Sequence, residues 1–306
     1  IGLDEMATFM RWLKSPHQNS KVLEILPVHS KRSAKTINII ILTVTNFYDY
    51  LMKCEDYNIQ LSFKLKKQIL GSKRGFKGFL YHINRNKFYE SNILKLKEPK
   101  QKIHILSKDD ISKLVEACNN IRDKFLIQLL WESSIRIGEA LALWLEDFEI
   151  DAKRIHIKDR GELSNFAEIK TVCSERSIYV SSNLINLYFD YIAECHTDDV
   201  DTNHVFIKLS GLNKHHPLEY QDVHSLFRIL KRKTQINVTP HILRHTSLTE
   251  LRRSGCKIEH IMRRAGHAHI QTTMQMYIHP SDEDIRNEWE KVEEKLKLKK
   301  DVINEK

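Results

Sequence analysis

The sequence TPHILRHT at positions 239–246 brings an imidazole and a guanidinium to the start of a predicted helix. Thr239 is a typical N-cap, and Pro240 fits the first helical position because an N–H there has no helical partner. His241 and Arg244 then lie three residues apart on one face. Since a helix N-terminus already favours an anion, the motif predicts a phosphate site that also exchanges protons. A surface helix with incidental basic residues is the alternative.

A second segment, RRAGHAHIQTTMQMYIHP at 263–280, carries a histidine and a tyrosine. Gly266 predicts the end of a helix; His267 follows it, and Tyr277 lies ten residues later. His267 could equally be a hydrogen-bonded turn residue, and Tyr277 a half-buried core aromatic. Neither residue identifies a reaction by itself.

Arg136 and Lys170 are further cationic candidates. Arg136 precedes a strongly apolar helix within 133–148 and therefore needs an anionic partner. Glu139 could be that partner, in a purely structural salt bridge. Lys170 stands near a turn between two predicted strands, where an exposed lysine commonly serves only solubility.

The elements that must position these residues form two domains. Residues 1–95 predict a small, basic, all-helical domain, and the polar stretch 96–104, with Pro99, predicts a linker. Residues 105–306 predict a larger domain that ends in a tail helix.

This larger domain is predicted to be mostly helical. Short β-rich runs at 154–158, 166–172 and 176–180 predict a small three-stranded antiparallel sheet between its helices. The expected fold class is therefore mainly α with a small antiparallel sheet (α+β).

Positive charge is concentrated in the first third of the 306-residue chain. Residues 1–100 hold 18 Lys and Arg against 8 Asp and Glu, whereas the remainder holds 31 against 32. Such a region attracts DNA or an anionic membrane surface, although a lysine-rich soluble domain is the plain alternative. The predicted DNA contacts are the basic residues of one stretch: Lys64, Lys66, Lys67, Lys73, Arg74 and Lys77.

The five cysteines are scattered and form no CxxC pair. This pattern disfavours a disulfide framework or a zinc site and fits a reducing cytoplasm. The chain begins at Ile1 rather than methionine, so we expect residues to precede it.

Together, the candidate residues resemble the catalytic signature of the tyrosine recombinases, the phage integrase family. The signature comprises Arg136, Lys170, His241, Arg244, His267 and Tyr277. RIGEALAL, TPHILRHT and GHAHIQTTMQMY are similar to the family's boxes, and the resemblance covers about 105–280 and, more loosely, 4–95. It is nearest to integrases and transposases of Gram-positive mobile elements, including the transposase A type.

Two positions depart from the family pattern. Ser134 stands where glycine is common, and we expect it to lie outside the chemistry. The interval from His267 to Tyr277 is one residue longer than in many members, which rotates a helical tyrosine by about 100°.

The resemblance implies a site-specific recombinase that cuts and rejoins DNA without metal or cofactor. Tyr277 attacks the phosphate to form a 3′-phosphotyrosyl bond, and Arg136 and Arg244 clamp its oxygens. Lys170 protonates the leaving 5′-oxygen and His241 accepts the tyrosine proton. The role implied for His267 is a hydrogen bond to the phosphate.

The resemblance also implies partners and a location. Two domains, a helical core-binding domain and a catalytic domain, enclose double-stranded DNA at specific sites. A homotetramer exchanges strands through a Holliday junction, and the protein free in solution is expected to be a monomer. Helper proteins are possible, and no membrane partner is expected. The expected location is the bacterial cytoplasm, associated with the nucleoid.

Two alternatives stay open at this point. A type IB topoisomerase shares the chemistry but relaxes supercoils as a monomer, and a DNA-binding regulator could keep the fold without catalysis. The helical first domain and the tail beyond Tyr277 favour a recombinase over a topoisomerase. The complete catalytic set argues against a regulator.

Overall fold

The structure is a computed structural model. It describes residues 2–15, 30–54, 65–70, 88–99, 104–169 and 175–266, together with 286 and 289–290. The chain divides into two compact units, Ile1–Lys102 and Ile103–Lys306. Within the described ranges, no helix combines the length and apolar character needed to cross a bilayer.

The first unit is built on two amphipathic helices, α1 (Leu3–Lys14) and α2 (Ala34–Lys53). Ser33 caps α2, as its side chain accepts a hydrogen bond from the Thr36 backbone N–H at 3.1 Å. Apolar residues three to four apart face each other across the two helices because this spacing places them on one side of a helix. The buried ones are Met6, Leu13, Ile37 and Ile41, joined by Leu65.

The first unit also contains strands, so the prediction of an all-helical domain is wrong in this detail. Strand β1 (Lys66–Leu70) pairs antiparallel with β2 (Phe88–Asn92), with Lys66 opposite Asn92 and Leu70 opposite Phe88. The aromatic residues of β2 favour extended backbone. Paired residues are 18 or more positions apart along the chain, from Leu70 with Phe88 outward, and local periodicity does not reveal such a pairing.

Residues after β2 are held against α2. The side chain of Asn38 donates to the backbone oxygen of Leu96 at 3.0 Å and accepts from its N–H at 2.8 Å. Leu94 and Leu96 pack against the same apolar cluster. The first residue of the predicted linker, Leu96, is therefore part of the first unit.

The second unit is mainly helical, as predicted. Its helices are α3 (Lys108–Glu116), α4 (Ile121–Ser133), α5 (Ile137–Leu141), α6 (Ser182–Cys195), α7 (Tyr220–Thr234), α8 (Pro240–Arg253) and α9 (Ile258–Ala265). The core forms around α4, whose Phe125, Leu126 and Leu129 are fully buried. Buried residues occupy more than half of the circumference of this helix, although Lys124 is exposed, and a helix so enclosed belongs at the centre of a domain. Helix α4 packs against both α6 and α8.

The small antiparallel sheet of the second unit has the order β3 (Phe148–Glu149), β4 (Arg154–Ile157), β5 (Arg176–Tyr179). The sheet confirms the prediction, but the strand predicted at 166–172 does not form over 166–169. Phe166 has a φ of +56°, outside the range of a strand. Asn165 instead donates to the backbone oxygens of Leu141 and Leu218, both at 3.0 Å.

Candidate active site

Arg136 is positioned by the junction between α4 and α5. Ser134 ends α4 in the left-handed conformation with a φ of +60°, and Arg136 is the extended N-cap of α5. The backbone N–H of Arg136 donates to Oε2 of Glu139 at 2.8 Å, so the acid three residues on caps the helix. The Arg136 side chain is 29% exposed, which leaves it accessible to a ligand.

Arg244 reaches the same place from the first turns of α8. Thr239 caps this helix, accepting from the Ile242 N–H at 3.2 Å, and Pro240 opens it, as predicted. Arg244 is buried, and its guanidinium donates to the backbone oxygens of Ser134 and Ala265 at 2.6 Å each. These contacts fix the guanidinium between the end of α4 and the end of α9.

Ser134 contacts this arginine through its backbone, and its side chain has a separate partner. Its carbonyl accepts from Arg244, and its hydroxyl hydrogen-bonds the hydroxyl of Ser247, also on α8. A left-handed backbone is the conformation that glycine adopts most readily. Ser134 therefore adds a side-chain link between α4 and α8 at a position where glycine could add none.

Glu139 is the carboxylate around which three guanidiniums gather. Its side chain is 1% exposed and lies 2.9 Å from Arg136 Nη1, 2.8 Å from Arg176 Nη2 and 4.0 Å from Arg244 Nη1. Burial acts to raise the pKa of Glu139, but the hydrogen bonds and charge of Arg176, with help from Arg136 and Arg244, lower that pKa overall. One ionised carboxylate thus faces three cations, a balance that favours an additional anion.

Sequence reasoning does not identify Arg176. Its side chain is 3% exposed, donates to both oxygens of Glu139 at 3.1 and 2.8 Å, and donates from Nε to the backbone oxygen of Arg264 at 2.8 Å. The strand pattern does indicate that Arg176 is buried, because alternation along a strand places it on the same face as the buried Ile178. A buried arginine needs an acceptor, and Glu139 is that acceptor.

Gly266 ends α9 in the left-handed conformation with a φ of +62°, as its predicted role requires. Its backbone oxygen accepts from Arg136 Nη2 at 3.3 Å. A Cβ at this position would lie 2.7 Å from Arg176 Nη1. Arg136 and Arg244 therefore contact adjacent carbonyls, of Gly266 and Ala265, directly before His267 in the chain.

His241 stands one helical turn from a second histidine that the sequence motif also contains. The Nε2 atoms of His241 and His245 are 2.6 Å apart, and the rings are perpendicular. Partial burial, then the charges of Arg244 and Arg136, lower the pKa of His241. Burial, with the charges of His241 and Arg244, lowers the pKa of His245 to about 4. Both imidazoles are neutral at neutral pH.

The structure brings together Arg136 and Arg244, both in contact with Glu139, and the pKa of His241 responds to both arginines. Three predicted residues, Lys170, His267 and Tyr277, lie outside the described residues.

The predicted DNA contacts Lys64, Lys73, Arg74 and Lys77 also lie outside the described residues, and Lys66 and Lys67 are described only as backbone in β1. No group of three or more His, Cys, Asp or Glu suited to a metal ion occurs within the described ranges.

Comparison with known proteins places the chain in a family. The model of the phage integrase family matches residues 104–284. Transposase A from transposon Tn554 of Staphylococcus aureus is 37% identical over 300 residues, covering 98% of this chain and 81% of that protein. Tyrosine recombinase XerA of Saccharolobus solfataricus is 26% identical over 192 residues, which cover 62% and 57% of the two chains.

Solved structures share the fold. The Tn1549 transposon integrase in complex with a circular intermediate DNA aligns with a TM-score of 0.63 at 18% identity, over 95% of this chain and 85% of that chain. The crystal structure of XerA recombinase aligns with a TM-score of 0.51 at 20% identity, over 94% and 82%. By its family match and its 37% identity to a transposase along nearly its whole length, the chain belongs to the phage integrase family of tyrosine recombinases.

Proposed function

We propose that this chain is a site-specific DNA recombinase of the transposase and integrase type, which cuts and rejoins DNA through a 3′-phosphotyrosyl intermediate. The observation that carries the proposal is the convergence of Arg136 and Arg244. They reach Glu139 and two adjacent carbonyls from different helices. Guanidiniums suit this role because they are planar, permanently charged and able to bind two phosphate oxygens at once.

The nucleophile in this proposal is Tyr277. Its oxygen forms a bond to phosphorus as the bond between phosphorus and the 5′-oxygen breaks, and its phenolic proton passes to His241. A phenol with an ordinary pKa of about 10 needs such a base. A neutral His241 is able to accept this proton, which its lowered pKa supports.

Lys170 is the proposed general acid, which gives its proton to the departing 5′-oxygen. The described residues just before it support a place near the arginines. A Cβ on Gly138, two residues beyond Arg136, would lie 2.6 Å from the backbone oxygen of Glu168. The segment that leads to Lys170 therefore runs against α5. His267, which directly follows the Gly266 carbonyl contacted by Arg136, is the proposed hydrogen-bond donor to a phosphate oxygen.

The proposed division of labour follows the two units. Residues 1–95, with the basic stretch from Lys64 to Lys77, provide affinity for duplex DNA, and residues 105–306 provide the chemistry. We further propose that a homotetramer exchanges strands through a Holliday junction on the bacterial nucleoid. A solved Tn1549 integrase bound to DNA and the transposase and recombinase names of the relatives support a recombinase over a topoisomerase or a regulator.

Covalent trapping tests the proposal. The chain is incubated with nicked duplexes from the DNA flanking its gene, so that the short strand released by cleavage diffuses away and the adduct accumulates. We expect a protein–DNA adduct through the 3′-phosphate with a free 5′-hydroxyl on the other fragment. Binding without any adduct would favour a regulator, whereas relaxation of plasmids that lack specific sites would favour a topoisomerase.

A further inference from the structure

The pair formed by His241 and His245 constrains which ring atoms are available for chemistry. Their Nε2 atoms are 2.6 Å apart, a hydrogen-bond distance, and lie one turn apart on α8. A neutral imidazole has one N–H and one lone pair. One proton therefore lies between the two Nε2 atoms, and Nδ1 is the atom of His241 that remains for a reaction.

Which histidine donates decides what Nδ1 of His241 can do. If His241 donates from Nε2, its Nδ1 carries a lone pair and can accept a proton. If His245 donates instead, His241 accepts at Nε2, its Nδ1 carries the hydrogen, and the ring is not a base at that atom. His245 thus selects between a base and a hydrogen-bond donor.

The charges around the pair favour His245 as the acceptor. The charged groups that act on the pair are Arg244, on the same helix, and Arg136, on α5. Both are cations, and His245 is partly buried, so it stays neutral and keeps a lone pair at neutral pH. When His241 gains a proton it must donate from both nitrogens, and a neutral His245 can accept the one at Nε2.

We propose that His245 is a positioning residue that acts through His241: it accepts the Nε2–H of His241 and so keeps the Nδ1 lone pair for the nucleophile. This inference rests on the proposed function. The proton of Tyr277 moves to Nδ1 of His241 as the tyrosine oxygen bonds to phosphorus. The resulting imidazolium is stabilised by its hydrogen bond to His245, and the proton returns to the tyrosine when the strand is rejoined.

The first test replaces His245 and measures the single-turnover rate of adduct formation on a nicked duplex. His245→Phe keeps a ring but has no acceptor. We expect cleavage to slow about 10- to 100-fold, less than the roughly 10²- to 10⁴-fold that a general base contributes, because His241 itself remains, and we expect DNA affinity to be unchanged. His245→Gln, whose amide oxygen can accept, should recover most of the rate. Thr249→Val is the matched control on α8, because the Thr249 hydroxyl donates to the backbone oxygen of His245 rather than to its ring, and it should cleave normally.

The second test separates positioning from a structural role. In a His241→Ala background, His245→Phe should cause no further loss, because the residue through which it acts is gone. The pH profile is a further readout: losing the acceptor destabilises the imidazolium, so the acid limb of the His245→Phe profile should move to lower pH. The proposal would be overturned if the two substitutions lowered the cleavage rate independently, so that their losses multiply in the double variant. It would also be overturned if the acid limb of the His245→Phe pH profile did not move.

Nitrogen NMR of the two histidine rings tests this inference separately from the proposed function. In the free protein at neutral pH, we expect His241 to be protonated at Nε2 and unprotonated at Nδ1, and His245→Phe to mix the two tautomers. The opposite tautomer in the wild type would refute the positioning role even if cleavage occurs. A wild type that forms no adduct but shows the predicted tautomer would instead refute the proposed function.

Discussion

Replacing Glu139 by glutamine should destabilise the second unit strongly. Each oxygen of Glu139 accepts two hydrogen bonds, Oε1 from the Arg136 and Arg176 side chains and Oε2 from the Arg136 N–H and Arg176. Glutamine has nearly the same shape, so packing is preserved. However, its NH₂ group turns two of these contacts into donor–donor clashes, and three guanidiniums are deprived of their carboxylate.

The expected size follows from the burial of the pair. Removing one partner of a buried ion pair costs about 3–5 kcal/mol, and the Glu139 and Arg176 side chains are 1% and 3% exposed. For a unit of this size, each kcal/mol lowers Tm by roughly 2–4 °C. We expect a decrease of this size in the free energy of unfolding, measured by urea titration with circular dichroism at pH 7.

The two ion pairs that Glu149 forms with Arg154 and His156, all three partly exposed, offer a matched control. Glu149→Gln should change the free energy of unfolding far less, because solvent screens its partners.

The effect of Glu139→Gln should also depend on pH. The pKa of Glu139 is lowered in the folded chain, so its contribution is present above the ordinary glutamate pKa of about 4.3 and is lost as pH falls through the lowered value. The difference between wild type and variant should thus be constant near neutrality and shrink in acid. A variant as stable as the wild type at pH 7 would refute the idea that Glu139 organises the arginine cluster.

Three further predictions concern the neighbouring helix, metal and the basic stretch. Gly138→Ala should lower the free energy of unfolding by about 1–3 kcal/mol, because its Cβ would meet Tyr220 Oη and the Glu168 backbone oxygen. In urea titrations, adding Tyr220→Phe should recover part of this loss, and a Gly138→Ala variant as stable as the wild type would contradict the packing. Cleavage should survive EDTA in the trapping assay, since guanidiniums supply the charge; strict dependence on magnesium would disprove this. Six basic residues between 64 and 77 are predicted to contact DNA. Neutralising them should flatten the slope of log affinity against log salt by roughly 0.9 for each phosphate contact that is lost. An unchanged slope would place the DNA-binding surface elsewhere.

Local sequence signals are sufficient to predict the elements that carry the site. Thr239 has the character of an N-cap, and its side chain accepts a hydrogen bond from the third residue of its helix. Gly266 likewise predicts the end of α9. These features depend on a few neighbouring residues, which is why sequence alone reveals them.

Features set by distant contacts are not predictable in this way. The pair of Arg176 with Glu139 joins residues 37 apart in sequence, and no local pattern specifies that distance. The strand expected at 166–172 does not form over 166–169, because the neighbouring Asn165 bonds the carbonyls of Leu141 and Leu218, again far along the chain. Tertiary hydrogen bonds override strand propensity in such segments.

The most direct test of the central claim identifies the residue that becomes attached to DNA. Adduct from the trapping assay is digested with trypsin and nuclease, and the peptide that carries the nucleotide is sequenced by mass spectrometry. We predict a single modified peptide with the nucleotide 3′-phosphate on Tyr277, and no adduct from Tyr277→Phe even though that variant binds DNA normally. Attachment at another residue, or normal adduct formation by Tyr277→Phe, would contradict the account.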